Sequence, residues 1–301
     1  MGGVVALGMF DGVHLGHQKV IGDTRAMAQR LGVPLSVMTF SSHPLAVIAP
    51  ERVPPVITDE AERSALFSEL GVDYLMELDF NEAFSRMSPS DFIDMLSETM
   101  RPRAVVVGPN YSFGAGGRGT PEMLRDVGER LGFDVVVSNA VFVGAEMVSS
   151  TRVRRSLAAG DVRDVTACLG RMFSVNGVVC HGDERGRTID FPTANIELSD
   201  GRAMLADGAY AVLVTIESGQ YKGSRHDGMA NIGYNPTFGA SSKRLETHLF
   251  DFSGNIYGEK MTVSFVEKLR GEVKFSSIEA LCDELQKDKL IARKILDERD
   301  D

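Results

Sequence analysis

Apolar positions fall into two rhythms along this chain. In the first half, short runs that are apolar at nearly every position alternate with longer stretches whose apolar residues recur at helical spacing. The first run, Val4-Val5-Ala6-Leu7, gives way to glycines, an aspartate and two histidines. Val20, Ile21, Met27, Ala28 and Leu31 then follow about a turn apart, so the stretch predicts strand, tight loop and helix. Runs at residues 35–39, 74–78, 104–108 and 134–137 predict four further strands. Asp59 with Glu62, Ser88-Pro89 and Thr120-Pro121 read as helix starts, for helices reaching about Leu70, Met100 and Leu131. Strands that are apolar throughout and alternate with amphipathic helices predict a parallel sheet covered on both faces, with ligands beyond the carboxyl ends of its strands. The loop after the first strand, the 40–44 loop and the loop after Gly108 all leave those ends. A further helix opens at Ser149-Ser150-Thr151 and ends near Gly160, and a second covers residues 161–169.

Near Phe173 the rhythm changes to alternation. Residues 173–180, 210–216, 229–233, 245–252 and 261–265 read as strands separated by Gly, Asp and Asn. A helix returns only after Ser277, marked by Ile278, Leu281 and Leu285. Five or six antiparallel strands with one closing helix predict a small barrel. Two domains are therefore expected, residues 1–170 and 171–301.

Composition narrows the function classes. The 301 residues carry a net charge of −10, which argues against a general nucleic-acid or membrane-surface binder. No apolar run approaches a membrane span and no signal peptide precedes the first strand, so a cytoplasmic protein is expected. Cys168, Cys180 and Cys282 are scattered, without CxxC spacing, as suits a reducing compartment. Cys180-His181 is not followed by a second metal-ligating pair, which leaves the three as packing residues.

Three stretches of the first half carry candidate chemistry. His14-Leu15-Gly16-His17 falls at the start of the first helix, where unpaired backbone N–H groups attract phosphate and two imidazoles add donors that can follow charge onto a phosphoryl oxygen. Gly16 lets backbone approach a ligand closely. The loop after Gly108 contains a literal G-x-G-x-x-G, Gly114 to Gly119, but residues 108–113 separate it from the strand and the helix begins only after it. That placement excludes a dinucleotide fingerprint. A mobile flap beside a nucleotide is expected instead, with Asn110 as a polar contact and Arg118 as a phosphate contact. In Ser149-Ser150-Thr151-Arg152-Val153-Arg154, hydroxyls cap a helix and two arginines are expected to point towards phosphates.

The second half adds another constellation. A glycine-containing loop from Gly186 runs through Asp190 and Phe191 to Thr193 and Asn195, a hydroxyl and an amide suited to Mg²⁺ and phosphate oxygens. Glu246 begins a strand and is a general-base candidate for a hydroxyl nucleophile. Arg270 and Lys274-Phe275 follow the last strand.

Taken in order, GxFDGVHLGH, TFxxHP, the Asn110-Tyr111-Ser112-Phe113-Gly114 loop, SSTRVR, FPTAN, ANIGYNPTFG, ETHLFDF and LRGEVKF cover nearly the whole chain. In these motifs the sequence resembles the bacterial bifunctional riboflavin kinase/FMN adenylyltransferase (FAD synthetase) family. The resemblance implies a Rossmann-like HxGH nucleotidyltransferase domain followed by a six-stranded antiparallel β-barrel kinase domain. It also implies ATP and Mg²⁺ as cofactors, with riboflavin, FMN and FAD as substrates and products. Riboflavin would be phosphorylated to FMN, and FMN adenylylated to FAD with release of pyrophosphate. By this analogy His14, His17 and Glu246 are catalytic. Gly8, Phe10, Asp11, Gly16, Asn110, Ser150, Thr151, Arg152, Arg154, Gly186, Thr193 and Asn195 hold nucleotide, and Thr193 and Asn195 also hold the metal. Phe40, His43, Pro44, Phe113 and Arg270 meet flavin. Partners would be small molecules, with neither nucleic acid nor membrane. Asp190 departs from the family pattern, which has glycine before Phe-Pro-Thr-Ala-Asn. It leaves open an alternative in which only the adenylyltransferase is active and the barrel is a weak kinase or a flavin-binding module.

Overall fold

A computed structural model describes residues 2–181, 191–198, 201–234 and 243–299. The chain forms two compact units, residues 1–150 and 151–301. That division falls after the first residue of the helix 150–159, whereas the sequence placed the boundary after the helices 150–159 and 162–169.

In the first unit the order is β1 (Val4–Leu7), α1 (Leu15–Leu31), β2 (Leu35–Phe40), α2 (Leu45–Ile48), α3 (Glu60–Glu69), β3 (Tyr74–Leu78), α4 (Glu82–Ser85), α5 (Pro89–Met100), β4 (Ala104–Val107), α6 (Pro121–Leu131) and β5 (Asp134–Val137), then the small hairpin β6 (Phe142–Val143) and β7 (Glu146–Met147). The main sheet is parallel with strand order β3-β2-β1-β4-β5. Its order reverses between β1 and β4, the switch point where open α/β sheets bind ligands. Alternate residues of the central strands build two cores. Val4, Ala6, Ala104 and Val106 pack with Val20 and Ile21 of α1, while Val5, Leu7, Val105 and Val107 pack with Ile93, Leu96 and Leu124 of α5 and α6. Burial on both faces is why these strands are apolar at every position. Asp59, Ser88 and Thr120 cap α3, α5 and α6 with side-chain oxygens that accept from Glu62, Asp91 and Met123 N–H.

The second unit begins within α7 (Ser150–Ala159) and continues with α8 (Val162–Leu169), β8 (Ser174–Cys180), β9 (Ala194–Glu197), β10 (Gly208–Ile216), β11 (Arg225–Tyr234), β12 (Lys243–Leu249), β13 (Lys260–Gly271) and α9 (Ile278–Asp297). The six strands close into an antiparallel barrel in the order β10-β11-β12-β9-β8-β13. Ala292 and Leu296 of α9 pack against Ala211, Met229 and Phe250. Val212, Val214, Leu245, Val263 and Phe265 are among the residues buried within the unit.

Candidate active sites

β1 ends at Leu7 and α1 begins at Leu15, so the intervening loop carries His14 to the helix N-cap. There His14 Nδ1 accepts from His17 N–H at 3.3 Å. The helical spacing of the two residues stacks their rings, 3.6 Å between centroids and 16° between planes. Phe10 meets the His17 ring edge-on at 5.2 Å. At position 16 a Cβ would come within 3.0 Å of His14 Cε1, so glycine here makes room for the imidazole. The loop is tied down on several sides: Thr39 Oγ1 donates to Met9 O, Ser150 Oγ to Asp11 O, and Gln18 Nε2 to Val13 O.

Two cavities of the first unit share a wall. One, of about 230 Å³, is lined by Phe10, His14, Gly16, His17, Asn139 and Ser149, among others. The other, of about 410 Å³, is lined by Phe40, His43, Pro44, Phe80, Phe84 and Phe113, among others. Leu7, Gly8, Met9, Asn110 and Tyr111 face both. Edge-on contacts run from Phe40 to Phe80 and Phe84, and Phe92 lies 5.0 Å from Phe113, so the larger cavity presents a preformed aromatic lining to a planar ring. Burial raises the Tyr111 hydroxyl well above its usual pKa, keeping it neutral at the shared wall.

Several expected contacts take other partners. The Asp11 carboxylate accepts from Ile57 N and Thr58 N at 2.9 and 3.1 Å and is buried, so it secures the loop rather than facing nucleotide. Gly114, Gly116 and Gly117 line the aromatic cavity, not the one with the histidines. Their loop is pinned by paired hydrogen bonds between Phe113 and Gly119, and Arg118 Nε donates back to Ala115 O. The glycines of the loop expected beside a nucleotide therefore line the neighbouring cavity. Thr151, Arg152 and Arg154 fall in the second unit. Arg152 is buried there against Asp164 of α8, whose carboxylate also accepts from Ser156 Oγ at 2.5 Å. The Arg152 guanidinium holds the Asp164 carboxyl below its usual range. This pairing draws Arg152 away from the phosphate role expected of it, because its partner comes from the next helix and leaves no trace in local spacing.

In the barrel, Asn195, Glu246 and Asn231 are paired across β9, β12 and β11 and form one row. Asn195 is buried, its Nδ2 donates to Thr193 O at 3.4 Å, and its Oδ1 has no hydrogen-bond partner among the described residues. Thr193 lines a cavity of about 260 Å³ with Pro192, Phe252 and Tyr257, among others. A hydroxyl and an amide oxygen left for an incoming partner are the hard donors that Mg²⁺ takes, so Thr193 and Asn195 fit the metal expected of them. His248 Nδ1 lies 2.8 Å from Pro192 O, which assigns the donor proton to that nitrogen and ties β12 to the Thr193 loop. Arg270 pairs with Asp288 of α9 at 2.9 Å and lies over the Phe275 ring, so it fastens the closing helix instead of presenting its guanidinium to flavin. Gly186 and Asp190 lie outside the described residues. Thr39, Thr58 and His248 were not legible as site-supporting residues, because each acts on a loop distant in sequence.

Comparison with known proteins matches the two halves of the chain to separate families. Residues 1–152 match the FAD synthetase family model and residues 169–296 the riboflavin kinase model. A bifunctional riboflavin kinase/FMN adenylyltransferase of Bacillus subtilis is 36% identical over 95% of this chain and 90% of its own length. The chain belongs to this family. Another riboflavin kinase/FMN adenylyltransferase, from Escherichia coli, is 35% identical over 97% of the chain and 92% of its own length. A crystal structure described as a macrolide-efflux protein of Streptococcus pneumoniae superposes with a TM-score of 0.88 at 34% identity, covering 97% of this chain and 94% of that one. Among the described residues here, no helix is long and apolar enough to cross a membrane.

Proposed function

We infer that this riboflavin kinase/FMN adenylyltransferase family member makes FAD from riboflavin in two steps. The barrel transfers the γ-phosphoryl group of ATP to the riboflavin 5′-hydroxyl, giving FMN and ADP. The first unit then transfers the adenylyl group of a second ATP to FMN, giving FAD and pyrophosphate. The observation that carries the second step is the pair of cavities with a common wall, one holding the stacked histidines and the other lined with aromatic rings. ATP occupies the histidine cavity, against Gly8, Phe10, Gly16 and Asn110. Flavin occupies the aromatic one, against Phe40, His43, Pro44 and Phe113. The FMN phosphate oxygen attacks the α-phosphorus as the bond to pyrophosphate breaks. His14, His17 and the α1 N-terminus place donors where charge accumulates. Asp11 and Ser150 support this site through the loop.

In the barrel, Glu246 accepts the riboflavin hydroxyl proton as the γ-phosphorus is attacked. Thr193 and Asn195 would hold Mg²⁺, which would offset phosphate charge. The substrates are small molecules, and the cytoplasm is the compartment that supplies ATP to such a reaction. The test is to incubate the protein with riboflavin, Mg²⁺ and ATP and to separate the flavins by chromatography. FMN appearing first and FAD after it is the expected result. FAD only when FMN is supplied would reduce the barrel to a binding module, and no conversion of either flavin would overturn both activities.

A further inference from the structure

The loop that carries His14 holds backbone conformations its own residues disfavour. Phe10 and Val13 adopt φ of 52° and 39°, in the left-handed region, and for β-branched Val13 this is a marked departure. Such a conformation persists only where neighbouring structure over-determines it. A dense set of restraints comes from residues 57–58, far along the chain after a proline-rich stretch. Thr58 Oγ1 accepts from Gly12 N–H at 3.0 Å and donates to Asp11 Oδ1 at 3.4 Å. The same carboxylate oxygen accepts from Thr58 N at 3.1 Å and Ile57 N at 2.9 Å. One hydroxyl thus joins a backbone amide and a carboxylate of adjacent loop residues, immediately before Val13 and His14. Thr58 is 5% exposed and lines neither cavity, so it reaches the chemistry only through the loop.

We propose that Thr58 is a positioning residue for adenylyl transfer, setting the Asp11-Gly12-Val13 turn so that His14 is stacked on His17 at the wall of the nucleotide cavity. This rests on the assignment of the two histidines to that reaction. Valine matches threonine in shape but cannot accept from Gly12 or donate to Asp11, whereas serine can do both.

The experiment compares full-length T58V, T58A, T58S and H14A, assayed separately for FMN adenylylation and riboflavin phosphorylation. Imidazole resonances of His14 and His17 are followed by NMR. A displaced catalytic group costs up to about 10²-fold in rate. T58V is therefore expected to lower kcat for FAD formation by at least about tenfold, with KM for FMN within about twofold and riboflavin phosphorylation unchanged. Both imidazole signals should move in T58V, and T58S should restore rate and signals. T58A, which adds no new methyl, is read in the same way if T58V does not fold. Unchanged kcat in T58V and T58A, or equal loss of both activities in soluble protein, overturns the positioning role. FAD formation lost in H14A but kept in T58V sinks the role of Thr58 alone, whereas FAD formation intact in H14A sinks the histidine assignment and the role of Thr58 with it.

Discussion

Glu246 lies between Asn195 and Asn231 in register, a carboxylate flanked by two amides across three strands. If it takes the riboflavin proton, Glu246→Gln removes the base while keeping shape and hydrogen-bonding capacity. FMN formation should fall by about 10²-fold or more, while adenylylation of supplied FMN is unchanged, as read by chromatography of the two half-reactions. His248 makes a separate prediction about stability. Burial first, and then Lys289 and Arg293, lower its pKa below the usual 6.5, against the opposing influence of the Pro192 carbonyl and Asp251. The folded chain thus resists a proton that the unfolded chain accepts. Stability should decline as pH falls through 6.5 towards the folded value and be unaffected above that window. Thermal unfolding followed between pH 7 and 5 checks this, and H248N should flatten the slope. Asp164 and Asp251, both lowered by arginine partners, act only below the ordinary carboxylate value of 3.8 and do not overlap that window.

Arg270 and Asp288 fasten α9 to the end of β13. Burial pushes the Asp288 carboxyl up despite the guanidinium beside it, so desolvation outweighs the attraction. Removing one partner is then worse than removing both. R270A should destabilise the protein by about 3–5 kcal/mol in a denaturant titration, and the apolar double variant R270M/D288L by less.

What could be read from sequence at this scale was local. Caps at Asp59, Ser88 and Thr120 announce their helices because donor and acceptor are three residues apart. The fully apolar strands announce a sheet covered on both faces. β9 was hidden: Ala194-Asn195-Ile196-Glu197 is too short to show a period and exists because β12 and β8 pair with it from either side. Arg152, Arg270 and Asp11 were legible as candidates for chemistry, but their partners were not, since Asp164, Asp288 and Thr58 come from other elements. The HxGH loop was legible because strand, glycines and helix start are consecutive, whereas the backbone strain at Phe10 and Val13 has no signature in residue type.

Across the whole molecule, His14 and Glu246 fall in separate compact units, and the proposed first reaction yields a stable small molecule. Variants crippled in different units should therefore complement one another. H14A alone is expected to stop at FMN and E246Q alone to leave riboflavin unconverted, while a mixture of the two should form FAD after a lag set by the concentration of free FMN. A mixture that forms no FAD would mean that FMN is not exchanged between molecules.

Leu7, Gly8, Met9, Asn110 and Tyr111, which face both cavities of the first unit, have a consequence for the end of the reaction. Once the new phosphoanhydride bond is made, the product of the proposed transfer would span both chambers. FAD would then be a bisubstrate ligand of the site that made it and would have to vacate both halves before either ATP or FMN could return. Binding energy that helps assemble the two substrates would also detain the product, so release is the step this arrangement is expected to slow.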